Sequence, residues 1–195
     1  MASHGFIVAA TKSCMTGCRE GRWDNYWEEQ IKVIQWTQTM GKDPILSYIN
    51  HDVGYGIAGH SMGGQATSRS TTRALDHNIK ASILLHPFVD QDEFLGADYQ
   101  VPTAGFTGSL DGCCGEEETR QHLQGATVPT TLATLRGALH TEPNMPNSRW
   151  EAYMAAWFKI YLESDTQDYH SLIYDSANPD GLCNFYNMKS CEHSN

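Results

Sequence analysis

The chain has 195 residues, 40% of them hydrophobic and 10% aromatic, which is enough to bury one sizeable core and inconsistent with disorder. Its formal charge of −10, with 23 acidic residues against 13 Lys and Arg, excludes an extended phosphate-binding surface, so no nucleic-acid partner is expected. No apolar run approaches the roughly 20 residues that cross a bilayer, so no membrane span is expected either.

Along the chain, Met1 leads into "ASHGFIVAA" without the basic n-region and cleavage pattern of a signal peptide. "GFIVAA" (5–10) is an apolar run of strand length and predicts a strand. The densest basic spot, "CREGR" at 18–22, reads as a solvated loop. "RWDNYWEEQIKVIQWTQTM" carries Trp23, Trp27, Ile31 and Ile34 at helical spacing, with Asp24 as its cap and Gly41 as its stop. A short strand is predicted at 54–59, a helix with a small-residue first turn at 62–77, and a third strand at 79–88. A fourth strand at 102–109, a short helix at 115–125 and a last strand at 129–137 follow. The closing helix presents Trp150, Tyr153, Met154, Trp157, Phe158 and Tyr161 as one core-facing stripe. The polar text from 164 to 195 predicts an irregular tail, and the chain reads as one domain over 1–195. Strands alternating with helices imply an α/β fold, with parallel pairing and helices on both sheet faces. Chemistry in such sheets lies beyond the carboxyl ends of the strands.

Six cysteines stand at 14, 18, 113, 114, 183 and 191. Cys14 with Cys18 and Cys183 with Cys191 read as local loop staples, which implies an oxidising, extracellular compartment. For Cys113 and Cys114 the spacing leaves open free thiols or a bonded neighbouring pair. Cys14 and Cys18 with the adjacent pair make a poor tetrahedral set, so no metal and no cofactor is expected.

The stretch "YGIAGHSMGGQA" (55–66) fences Ser61 with Gly59, Gly63 and Gly64 between a strand and a helix. That is the pattern of a nucleophile elbow, a turn so tight that its neighbours cannot carry a Cβ. Gly59 and Gly63 are expected to let strand and helix converge, and Gly64 to let the helix approach the sheet. The Met62 amide, at the helix start, is placed to stabilise an oxyanion. A serine hydroxyl needs a base, and the base an orienting acid. His140 in "LRGALHTEP" follows the last strand and is the expected base; His86 reads as a core or rim histidine, and His60 is expected to point elsewhere. Asp111 in "FTGSLDGCCG" is the expected acid, with Asp90 and Asp92 after the third strand as rivals. The order Ser61, Asp111, His140 is the one that goes with an elbow serine.

On "ASHGFIV", "GHSMGG", "HPF", "TGSLD", the histidine loop and the cysteine-bearing tail, the chain resembles the α/β-hydrolase superfamily. Within it, the chain is similar to bacterial polyester hydrolases, the cutinase-like and poly(ethylene terephthalate)-hydrolase group. The resemblance implies ester hydrolysis through a triad and an acyl-enzyme, on polyesters or lipid-like esters. It makes Met62 both an oxyanion donor and part of the substrate cleft, and Phe88 a cleft wall where the family usually carries Trp. It also implies that "ASHGF" leads into the family's fourth strand, with the strands before it missing, the one carrying the second oxyanion amide included. A fragment, or a start assigned to an internal methionine, of low activity by itself, is therefore expected. The rival expectation is a non-catalytic protein of the same fold that binds a ligand or mediates adhesion; acyl transfer to an alcohol other than water would use the same triad.

Overall fold

The structure, a computed structural model, describes residues 1–11, 25–89, 93, 95–146 and 148–194. Four parallel strands, β1 (Tyr55–His60), β2 (Ile79–Leu85), β3 (Thr103–Gly108) and β4 (Thr130–Leu135), lie side by side in chain order. A fifth, β5 (Met188–Ser194), pairs antiparallel with β4. The helices are α1 (Tyr26–Thr39), α2 (Met62–Thr71), α3 (Glu116–Leu123), α4 (Glu151–Glu163) and α5 (Asp168–Tyr174). This mostly parallel sheet with helices is the α/β architecture that the sequence predicts.

Each covered strand buries two faces, which is why its sequence is apolar or small throughout. Ala81, Ile83 and Leu85 of β2 join Ala104, Phe106, Ala133 and Leu135 in a core capped by the α4 stripe, where Trp150 and Trp157 are fully buried. Trp150 lies flat on Phe106, ring centroids 4.7 Å apart. The opposite face has two smaller clusters. Ile31 and Ile34 of α1 pack with Ile57 and Ile79, and Leu123 of α3 packs with Leu84 and Leu132.

Three expectations need correction. Residues 5–10 form no strand; Ile7 and Val8 are exposed, and Phe6 packs edge-on to Phe158 of α4 instead. A strand needs a ladder partner. Among the described residues β1 pairs only with β2 and is an edge. Nor is 164–195 an irregular tail. It contains α5 and β5, and β5 is held by the Cys183–Cys191 disulfide and by a ladder running from Thr130↔Ser194 to Leu135↔Met188. The predicted helix at 62–77 ends earlier, at Thr71, with a 3-10 turn over Ala74–His77. Trp23, Asp24, Cys14 and Cys18 lie outside the described residues.

The register brings the strand ends level, with His60 opposite Leu85, Leu85 opposite Phe106 and Gly108 opposite Leu135. The segments leaving four adjacent strands therefore emerge at one edge. Ser61, His86, Asp111 and His140 stand on these four segments.

Candidate active site

Ser61 sits between β1 and α2 with φ 58° and ψ −122°, a conformation that non-glycine residues rarely adopt outside functional turns. The turn is that tight because strand and helix nearly touch: a Cβ on Gly59 would lie 2.0 Å from the Gly63 carbonyl oxygen. Gly63 itself faces open space, so the expectation that it too is sterically required is corrected. Gly64 does meet a neighbour, Pro87, as the sheet approach requires. Met62 opens α2, and an amide in the first turn of a helix has no intrahelical acceptor. Phe88, half-buried, donates its backbone N–H to the Ser61 carbonyl over 3.0 Å, which sets the segment after β2 against the elbow.

Asp111 and His140 are brought together by interlocking loops. Leu110 N–H donates to the Ala138 carbonyl (2.9 Å) and Gly137 N–H to the Ser109 hydroxyl (2.8 Å). A Cβ at Gly108 would strike Ala138, so glycine permits this approach. Arg149 clamps Glu142, just beyond His140, through Nε and a second nitrogen at 2.9 Å each, and Arg149 holds Glu142 ionised by lowering its pKa. The result is a 2.8 Å bond from His140 Nδ1 to Asp111 Oδ2. A carboxylate only accepts, so Nδ1 carries the proton and His140 Nε2 is left as a lone pair.

The acid is well supplied with donors. Burial alone would raise the Asp111 pKa, but hydrogen bonds from His140, the amides of Cys113 and Cys114 (2.9 Å each, to Oδ1) and His86 outweigh it and hold the carboxyl at about 2. Cys113 and Cys114 are bonded to each other, which answers the question the spacing left open.

Two histidines have larger parts than the sequence suggests. His86, fully buried, donates from Nδ1 to Asp111 Oδ2 over 2.7 Å, and burial pushes its pKa down to about 4 against the pull of that carboxylate. His60 does not point away. Its Nε2 donates to the His140 carbonyl (2.7 Å) and its ring lies 4.6 Å from the His140 ring. Burial lowers its pKa too, with the bond to His140 opposing. His60, next to Ser61 in the chain, thereby ties the histidine loop to the elbow. The signal that could have found both is position: His60 ends β1 and His86 directly follows β2, both at the carboxyl edge of a parallel sheet.

One contact is not made. Among the described residues no hydrogen bond joins the Ser61 hydroxyl to His140. Such bonds are commonly long in unliganded enzymes and close when substrate binds. The rival acids Asp90 and Asp92 lie outside the described residues. A groove of about 390 Å³ lined by Asp111, Glu116, Glu118, Arg120 and Lys189 lies behind the acid loop and includes neither Ser61 nor His140. Asp111, Cys113, Cys114 and His140 group their donor atoms within 4.8 Å, as do Cys183, Cys191 and His193. In both groups the sulfurs are already spent in disulfides, and thiolate is the form that binds metal.

Comparison with known proteins adds ancestry to this geometry. The sequence profile of PET hydrolase-like proteins (PETase) matches residues 1–191. Cutinase 1 of Thermobifida cellulosilytica is 26% identical over 171 residues, 86% of this chain and 62% of the relative. A cutinase of Thermobifida fusca (strain YX) is also 26% identical, over 86% of this chain and 54% of its own length. Cutinase est2 of Thermobifida alba is 27% identical, again over 86% of this chain and 54% of the relative. The chain spans between about half and three-fifths of the length of the curated relatives it matches.

Proposed function

Because the chain belongs to the PET hydrolase-like family, we propose that it acts as a serine carboxylic ester hydrolase through Ser61, His140 and Asp111. The observation that carries this is the Asp111–His140 bond on a loop tied to a strained serine turn. Asp111 fixes the proton on Nδ1 of His140, so Nε2 takes the Ser61 proton as Oγ bonds to the ester carbonyl carbon. The carbonyl electrons move onto oxygen, where the Met62 amide donates to them. When the oxyanion collapses, the alcohol leaves with the proton that His140 returns. Water, deprotonated by the same Nε2, then releases the acid and regenerates Ser61.

His140 rather than His86 is the base because access decides it. The His140 side chain is 31% exposed and that of His86 is at 0%, out of reach of any substrate. Met62 and Phe88 flank the serine and line the acyl or alcohol side of an ester, with polyesters or lipid-like esters as the substrate class that the named cutinases suggest. The paired cysteines fit an extracellular location. No helix among the described residues is long and apolar enough to cross a membrane.

A fluorophosphonate probe labels a serine only when it is activated, and so tests the proposal in a single turnover. Wild type is expected to label and Ser61→Ala not to. Equal labelling of the two would move the reactive residue away from Ser61, and labelling of neither would favour a non-catalytic, ligand-binding protein of this fold.

A further inference from the structure

His86 has no step in the relay above, yet it is bonded to its acid. Asp111 Oδ2 accepts two imidazole N–H groups, from His86 at 2.7 Å and from His140 at 2.8 Å, while Oδ1 accepts the two cysteine amides. An ionised carboxylate has only lone pairs to offer, so both imidazoles carry their proton on Nδ1. The His86 ring is wholly buried, and its Nε2 has no hydrogen-bond partner. Its backbone is held at φ 43°, with its N–H on the Phe106 carbonyl over 2.8 Å, a left-handed conformation that few residues other than glycine adopt. A histidine that merely filled space would require neither that backbone nor that bond.

Resting on the Ser61–His140–Asp111 reading, we propose that His86 is a positioning residue, a neutral second donor that holds the Asp111 carboxylate in the plane His140 needs and shares its negative charge. Burial keeps the ring uncharged, so it donates to Asp111 without contesting the proton that His140 must carry. The other titratable groups around the two rings are His60, whose ring centroid is 6.1 Å from that of His86, and Glu142, which is neutralised by Arg149. Neither hydrogen-bonds to Asp111 among the described residues. With His86 removed, Oδ2 would serve His140 alone; the carboxylate would be freer to rotate, and more of its charge would fall on the imidazolium.

Two substitutions separate positioning from packing. Asn accepts the left-handed backbone and its side-chain amide can take the place of Nδ1–H, whereas Ala offers no donor. His86→Ala is expected to lose roughly tenfold or more in kcat towards p-nitrophenyl butyrate, the order set by a lost bond to a charged acceptor. KM should stay unchanged, since the ring cannot reach substrate, and the acid limb of the pH–rate profile should move to higher pH. His86→Asn should restore most of kcat and the wild-type acid limb. An His86→Ala enzyme with wild-type kcat and pH profile, or an Asn variant as impaired as the Ala one, overturns the proposal. A measurement independent of activity guards against variants that do not fold. In His140→Ala protein, proton NMR should retain one strongly downfield imidazole N–H that disappears on adding Asp111→Ala. Absence of that resonance overturns the role of His86. Failure of the serine reading would instead appear as fluorophosphonate labelling of Ser61→Ala, with the resonance still present.

Discussion

Replacing Asp111 by Asn changes one heavy atom, and the surrounding bonds dictate which way the amide must turn. Oδ1 receives the N–H groups of Cys113 and Cys114, both at 2.9 Å, so the oxygen of the Asn must stay there or two backbone donors lose their acceptor. Its NH2 then takes the place of Oδ2, facing Nδ1 of both His140 and His86. A donor now faces two donors. Each ring can restore its bond only by moving its proton to Nε2, and His140 in that tautomer has no lone pair for the Ser61 proton. The fold should survive, because the backbone bonds and side-chain volume are kept, but the base should not. A wrong tautomer in a Ser-His-Asp triad costs about 10⁴ in kcat, or about 5.4 kcal/mol at 1.36 kcal/mol per decade. The assay is the second-order rate of fluorophosphonate labelling, with thermal unfolding as the control for folding. A variant that labels within about tenfold of wild type at unchanged melting temperature would refute the tautomer reasoning, and with it the role of Asp111.

Gly59→Ala places a Cβ 2.0 Å from a backbone oxygen and should destabilise by about 3 kcal/mol or more, while Gly63→Ala, with open space, should be nearly silent in urea unfolding; equal effects would contradict the packing at the elbow. His86 is held neutral with its pKa at about 4, below the roughly 6.5 of an unfolded histidine, so the unfolded chain binds the extra proton between those values. Stability from this group is complete above pH 6.5 and lost as pH falls towards 4, by up to about 3 kcal/mol, and His60, His122 and His193 shift in the same direction. Urea midpoints measured from pH 7 to 4 should therefore fall, and fall less steeply in His86→Asn; a flat profile would mean that the rings are charged in the fold. Removing the Cys183–Cys191 bridge with paired serines opens a short closed loop and should cost about 2.5 kcal/mol by chain entropy, visible as a lower melting temperature of a still folded protein.

How much of this was legible in the sequence varies by element. β2 and α4 were read correctly because both depend on a dense apolar pattern that only burial explains, and the elbow because glycine flanking a serine has a steric cause. β5 escaped because its residues, "MKSCEHS", lie at a half-exposed edge and carry no alternation; its existence depends on pairing with β4, a long-range fact. The run at 5–10 failed the other way, apolar enough for a strand but with nothing to pair with among the described residues. At the site, chain order singled out Asp111 and His140. It could not bring in His86, because the reach of that ring to Asp111 follows from the β2–β3 register and a left-handed φ that no composition encodes. His60 was placed on the wrong side for a related reason. Its ring direction depends on how the histidine loop folds back over the elbow.

The hydroxyl of Ser61 and the free imidazole nitrogen of His140 must work as a pair although no hydrogen bond joins them in this structure. A crystal structure of the diethylphosphoryl adduct tests it most directly. Phosphorus should be bonded to Ser61 Oγ, with His140 Nε2 within about 3.2 Å of that oxygen or of an adduct oxygen and the Asp111–His140 bond intact. An adduct on another residue, or on Ser61 with the His140 ring turned away from Asp111 and the phosphorus alike, would contradict it.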